Sequence, residues 1–167
     1  MGNKWVLKQQ GDIEVVRKLM DLLSVDDKVA NLLAQRDIST FEEAKLFFRP
    51  DFEQLHDPYL MKDMDKAVAR VLQAVEKNEK ILIYGDYDVD GTTSVALVYS
   101  YLKKFFKKKI EFYIPNRYDE GYGISYKGID HAADNGFNLV IALDCGIKAV
   151  EKIKYACSRL VDFIICD

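Results

Sequence analysis

The 167-residue chain sets 24 Lys and Arg against 27 Asp and Glu, a formal net charge of −3, so no global basic field for nucleic acid exists and any such binding must be local. Its 49% hydrophobic and 31% charged residues suit one compact soluble domain with a small appendage. No apolar run approaches the roughly 18 residues of a membrane span, and MGNKWVLKQQGD has neither a signal-peptide core nor a good myristoylation pattern, so a cytoplasmic protein with no membrane attachment is expected.

The chain opens on helices. DIEVVRKLMDLL (12–23) places apolar residues at 13, 15, 16, 19, 20, 22 and 23, close to a 3.6 period. Ser24 is the expected N-cap of a second helix, with Asp27 completing a weak capping box. Thr40 caps a third, which has Glu42 and Glu43 in its first turn and Pro50 as its stop. Pro50 and Pro58 bracket the expected boundary between a helical N-terminal segment (1–60) and a second region (61–167) that starts with the long helical pattern 64–80. From there the texture alternates. ILIYG, KIEFYIP (109–115), NLVIALDCG (138–146) and VDFIICD (161–167) read as strands. Residues 92–106, 125–136 and 147–159 read as helices between them. The expected fold is therefore α/β: a parallel sheet with flanking helices and right-handed crossovers, preceded by a helical segment.

In open parallel sheets ligands sit beyond the carboxyl ends of the strands. The first strand runs into Asp86, Asp88 and Asp90, the third into Asp144 and the fourth into Asp167, while Arg117, Asp119 and Glu120 follow the second. Single aspartates are ordinary in turns and at helix caps, but capping at Thr92 or Thr93 does not require three of them. An all-oxygen, carboxylate-rich edge suits a hard divalent ion such as Mg²⁺, Mn²⁺ or Ca²⁺. Cys145, beside Asp144, should face the other way as a structural thiol. Cys145, Cys157 and Cys166 form no CxxC pair and read as reduced thiols.

The hexapeptide DYDVDG (86–91) admits three chemistries. It satisfies the first six positions of a calcium loop, but position 12 falls on Leu97 and the preceding element reads as a strand. DVDGT (88–92) resembles a phosphatase nucleophile motif, but Gly85-Asp86-Tyr87 separates it from the apolar strand and the later Lys and acidic pair have no match. A two-metal phosphoesterase, with ions about 4 Å apart, needs many carboxylates from different strand ends, and that is the layout here.

Four ordered segments, ILIYGDYDVDGTTSVALVYSYL, YIPNRYDEGYGIS, VIALDCGI and FIICD, resemble the DHH phosphoesterase superfamily. WVLK, LLAQRDIST, LHDP and MKDMDKAV extend the resemblance to its single-strand-specific exonucleases. The resemblance implies a Rossmann-like catalytic lobe, Mn²⁺ or Mg²⁺ in a two-metal site, and 5′-to-3′ hydrolysis of single-stranded DNA to 5′-mononucleotides in repair and recombination. By position, Asp88 and Asp90 match metal ligands, Asp144 the bridging ligand, Asp86 an acidic residue behind them, and Asp167 the first letter of the Asp-His-His motif. Arg117 matches a phosphate-contacting position, with Tyr122 and Gly123 in the same loop. The partners implied are single-stranded DNA and a single-strand-binding protein or helicase, with the enzyme a monomer. Tyr84 stands where many members have a histidine, and the two motif histidines would follow Asp167, so the implied site is incomplete within 1–167. Related members acting on nanoRNA, cyclic dinucleotides or pyrophosphate, and a catalytically inactive DNA- or partner-binding scaffold, are the alternatives.

The remaining features read as structural. KKFFKKK (103–109) holds five lysines at a helix end that should lie away from the strand carboxyl ends. His56 and His131 lack ligand spacing. Tyr118 and Tyr122 flank the charged loop, where base stacking and ordinary packing are both open.

Overall fold

The computed structural model describes residues 4–106 and 109–167. The chain divides into two compact units, the first ending at Asp57 and the second running Pro58–Asp167.

In the first unit, α1 (Ile13–Leu23), α2 (Asp27–Ala34) and α3 (Phe41–Phe48) bury Val16, Leu19, Ala30, Leu33, Ile38 and Ala44. Asp12 caps α1, accepting from Glu14 N at 2.8 Å. Thr40 and Glu43 close a reciprocal capping box on α3, as its sequence predicts. The cap of α2 is Asp26, not Ser24: Ser24 takes the left-handed conformation (φ 54°) that terminates α1, and Asp26 accepts from Val29 N at 2.8 Å.

The second unit contains α4 (Met64–Glu76), β1 (Ile81–Gly85), α5 (Val89–Phe106), β2 (Ile110–Tyr113), α6 (Tyr126–Asp134), β3 (Leu139–Leu143), α7 (Val150–Ser158) and β4 (Asp162–Cys166). The four strands form one parallel sheet in the order β2-β1-β3-β4. β1 and β3 are buried along their whole length, which is why both read as unbroken apolar runs. Successive side chains go to opposite faces. Leu82, Tyr84, Val140 and Ala142 pack with Ile129 and Ala132 of α6 and Ala156 of α7. Ile81, Ile83, Leu139 and Ile141 pack with Ala74 of α4 and Val95 of α5 on the other face.

Helix α5 starts at Val89, earlier than the expected 92. Asp88 accepts from Gly91 N at 2.9 Å through its side chain and from Thr92 N at 3.0 Å through its carbonyl, pulling the first turn upstream and placing Asp90 inside it. At the far end, Lys103 and Lys104 lie over the rings of Tyr99 and Tyr101, and Lys109 donates to Asn78 O at 2.6 Å. Lys107 and Lys108 of the same run lie outside the described residues.

The strand order reverses between β1 and β3: the chain leaves β1 toward β2 and leaves β3 toward β4. The loops after β1 and β3 thus diverge and leave a crevice at the carboxyl edge of the sheet.

Candidate active site

Asp86 follows β1 directly and is fully buried. Its Oδ1 accepts from Tyr87 N at 2.7 Å and its Oδ2 from Gly123 N at 3.0 Å. It therefore faces inward and ties the end of β1 to the segment joining β2 to α6, here termed the connector. A buried carboxylate is tolerable because both oxygens receive backbone N–H groups. Gly91 makes the approach of α5 possible, since a Cβ there would lie 2.6 Å from Asp86 O and 2.7 Å from Asp86 N.

Asp88 and Asp90 are exposed, at and just inside the N-terminus of α5, where the helix dipole favours negative charge. The second Asp88 oxygen accepts from Tyr122 Oη at 3.3 Å. The neighbouring carboxylates, Asp88 first, push the Tyr122 phenol up to about 12, so it remains a donor at neutral pH.

Asp144 follows β3 with φ 57°, a left-handed conformation that Asp tolerates better than most residues. Its N–H donates to Cys166 O at 2.8 Å, which ties it to the end of β4. Asp167 Oδ2 accepts from Ile147 N at 2.8 Å, tying β4 back to the loop that carries Asp144. The Asp144 carboxyl lies above the usual carboxylate range, through desolvation and then through Asp88, Asp90, Asp167 and Asp86 in that order. Carboxylates from two other strand ends, β1 and β4, thus act on the group that follows β3. A cavity of about 620 Å³, lined in part by Tyr122, Tyr126, Lys152, Asp144 and Asp167, opens beside them.

The Arg117 guanidinium, in the connector, lies 5.4 Å from the Tyr87 ring centre, and the Tyr87 and Tyr122 rings meet edge to face at 5.8 Å. Tyr118 projects into solvent, 94% exposed. Cys145 is buried, and burial pushes its thiol up to about 12, consistent with a structural thiol. His131, half-buried, packs against the rings of Tyr113 and Phe137.

Of the residues that shape the site, most carry no local signal in the sequence. Tyr84, Glu120, Ser125 and Lys152 bind the connector from β1, from within the connector and from α7. Burial holds the Tyr84 phenol far above its usual range, so it stays protonated. Only Ser125, the N-cap of α6, has a motif that betrays it.

Among the described residues, no three His, Cys, Asp or Glu side chains are grouped so as to hold a metal ion. The donor set nonetheless fits a hard divalent cation. Asp88, Asp90, Asp144 and Asp167 offer oxygen alone, the donor type that hard divalent cations take.

A family model described as "DHH family, N-terminal domain" matches residues 80–167. The single-stranded-DNA-specific exonuclease RecJ of Bacillus subtilis (strain 168) is 39% identical over 164 residues, covering 98% of this chain and 21% of that protein. RecJ of Escherichia coli (strain K12) is 32% identical over 104 residues, 62% of this chain and 18% of that protein. A crystal structure of exonuclease RecJ bound to manganese superposes with a TM-score of 0.58 at 27% identity, covering 64% of this chain and 27% of that one. RecJ of Thermus thermophilus, in complex with Mn²⁺, shares the fold at a TM-score of 0.65 and 21% identity, covering 92% of this chain and 21% of that one. The chain spans about a fifth of the length of the curated relatives it matches.

Proposed function

Because the chain belongs to the DHH family, we propose that it forms the N-terminal part of a metal-dependent exonuclease that degrades single-stranded DNA from the 5′ end to 5′-mononucleotides. The observation that carries this reading is the placement of Asp86, Asp88 and Asp90 after β1, Asp144 after β3 and Asp167 after β4, all at the carboxyl edge of one parallel sheet. The relatives named as single-stranded-DNA-specific exonucleases support the substrate class.

Residues 1–60 are the helical segment and 61–167 the catalytic lobe in this reading. Asp88, Asp90 and Asp144 would hold Mn²⁺ or Mg²⁺. The ions supply Lewis-acid stabilisation of charge at the phosphodiester. The chain's own residues bind and orient. Arg117 is suited to a substrate phosphate, because its planar fork matches two oxygens and its side chain is exposed beside Tyr87. Tyr122 and Tyr87 offer ring faces and edges to nucleobases beside the acidic row. Asp86 fixes the connector through Gly123 N, and Asp167 fixes the loop behind Asp144 through Ile147 N. In this reading, extended by the motif resemblance alone, the protein works as a cytoplasmic monomer in repair and recombination with a single-strand-binding protein or helicase. Among the described residues no helix is long and apolar enough to cross a membrane.

The test is to incubate the full-length polypeptide carrying this chain with Mn²⁺ and end-labelled single-stranded or duplex DNA, beside an Asp88→Ala control. Mononucleotide release from the 5′ end of single strands, lost in the control, is the expected result. No release by folded protein loaded with Mn²⁺ overturns the reading.

A further inference from the structure

The connector between β2 and α6 carries both Arg117 and Tyr122, and its second half is pinned group by group. The Tyr84 hydroxyl donates to Gly123 O at 3.0 Å and accepts from Ser125 N at 3.1 Å. Asp86 Oδ2 accepts from Gly123 N at 3.0 Å, and Lys152 Nζ donates to Ile124 O. The Glu120 carboxylate accepts from Asn116 N at 2.8 Å, from Tyr113 Oη at 3.0 Å and from the Ser125 hydroxyl. Burial opposes the charge on Glu120, but these donors outweigh it and hold its carboxyl below the usual range.

Tyr84 is the element of this clamp that belongs to the central strand. It is 1% exposed, and its ring stacks on Tyr113 at 5.4 Å and 19°. Helix α6 makes room for it with Gly128, where a Cβ would lie 2.6 Å from Tyr84 Cε2. One hydroxyl then satisfies a carbonyl and an amide two residues apart, on either side of Ile124. At Gly123 the backbone turns with φ 79°, and Tyr122 just before it projects with its hydroxyl on Asp88. Superfamily resemblance places position 84 where a metal-binding histidine is common, yet the Tyr84 hydroxyl bonds to the connector backbone.

We infer that Tyr84 is a positioning residue for substrate binding: its hydroxyl fixes the connector that presents Arg117 and Tyr122 beside the acidic crevice. The inference rests on the exonuclease reading and assigns Tyr84 to the grip on DNA, separate from metal affinity. Removing the hydroxyl leaves Gly123 O and Ser125 N without their partner, so the segment shifts to recover one. A shift of about 1 Å at a substrate-positioning group is enough to weaken its contacts severalfold or more.

The test uses the full-length enzyme with Tyr84→Phe, which keeps the ring and its stacking on Tyr113. KM for single-stranded DNA is expected to rise about tenfold, with kcat within about twofold. The Mn²⁺ concentration for half-maximal activity is expected to stay unchanged. Lys152→Met removes the neighbouring tether without touching the sheet and is expected to raise KM in the same sense by about threefold. An unchanged KM in both variants, whatever happens to thermal stability, overturns the inference as a purely structural role. A shift in Mn²⁺ dependence without a change in KM overturns it in favour of a metal-site role. If the wild type shows no nuclease activity, the exonuclease reading fails by itself, and the dissociation constant of a labelled single-stranded oligonucleotide decides the inference: about tenfold weaker binding by Tyr84→Phe supports it, and equal binding overturns it.

Discussion

Replacing Asp144 with Asn is expected to lower exonuclease activity of the full-length enzyme on the order of a thousandfold or more, while making the metal-free fold more stable. The two effects share one cause. Asp144 sits among Asp88, Asp90, Asp167 and Asp86, and its carboxyl is raised above 3.8 by desolvation and by their charge. A carboxyl whose folded pKa exceeds its unfolded one stabilises the fold when protonated. That contribution is full below the unfolded pKa and is lost as pH rises through the folded pKa. At neutral pH the ionised group is therefore a liability that Asn lacks, and Asn accepts the left-handed conformation (φ 57°) as readily as Asp. Melting temperatures without metal should cross in favour of Asn as pH climbs from the acid range. Mn²⁺ should then raise the wild type more than the variant. Near-wild-type activity in folded Asp144→Asn protein would remove Asp144 from the metal site.

Gly91→Ala is expected to destabilise the second unit by about 3 kcal/mol, the upper end for overpacking, because the added Cβ meets backbone rather than a movable side chain. Asp86 O and N would lie 2.6 and 2.7 Å from it. Gly85 is closed from the other side, where a Cβ would meet Val95 Cγ2 at 2.3 Å and Gly91 O at 2.9 Å, so strand end and helix start have no room to separate. Relief comes only by moving Asp86 or the first turn of α5, which carries Asp88 and Asp90. The urea midpoint reads the loss, with exposed Thr93→Ala as a control expected to change stability by less than about 1 kcal/mol. A Gly91→Ala protein as stable as wild type would show that the glycine is not demanded by packing.

The sheet was legible because β1 and β3 are buried on both faces and so carry unbroken apolar runs, and the aspartates at their ends followed from where such strands stop. The start of α5 was not, because Asp88 is both a crevice carboxylate and the residue that caps the helix, and a pattern search sees Thr92 first. Ser24 and Asp26 are equally good caps on paper; the left-handed turn that ends α1 decides between them. Tyr84 reads as core, and its ring is core. Its hydroxyl, however, finds Gly123 and Ser125 across 39 and 41 residues of chain, and no local periodicity encodes such a partner.

The reversal of strand order also dictates when the crevice comes into being. β1 can pair with β2 as soon as α5 has formed between them, but its other neighbour, β3, lies beyond β2 and α6 in the chain. Closing that longer loop costs more entropy and comes later. The aspartates after β1 are thus expected to be placed first, with Asp144 and Asp167 brought against them in the closing step of folding, against charge repulsion. That step should be the one accelerated by salt, and pulse-labelled hydrogen exchange should show β1 and β2 amides protected before those of β4.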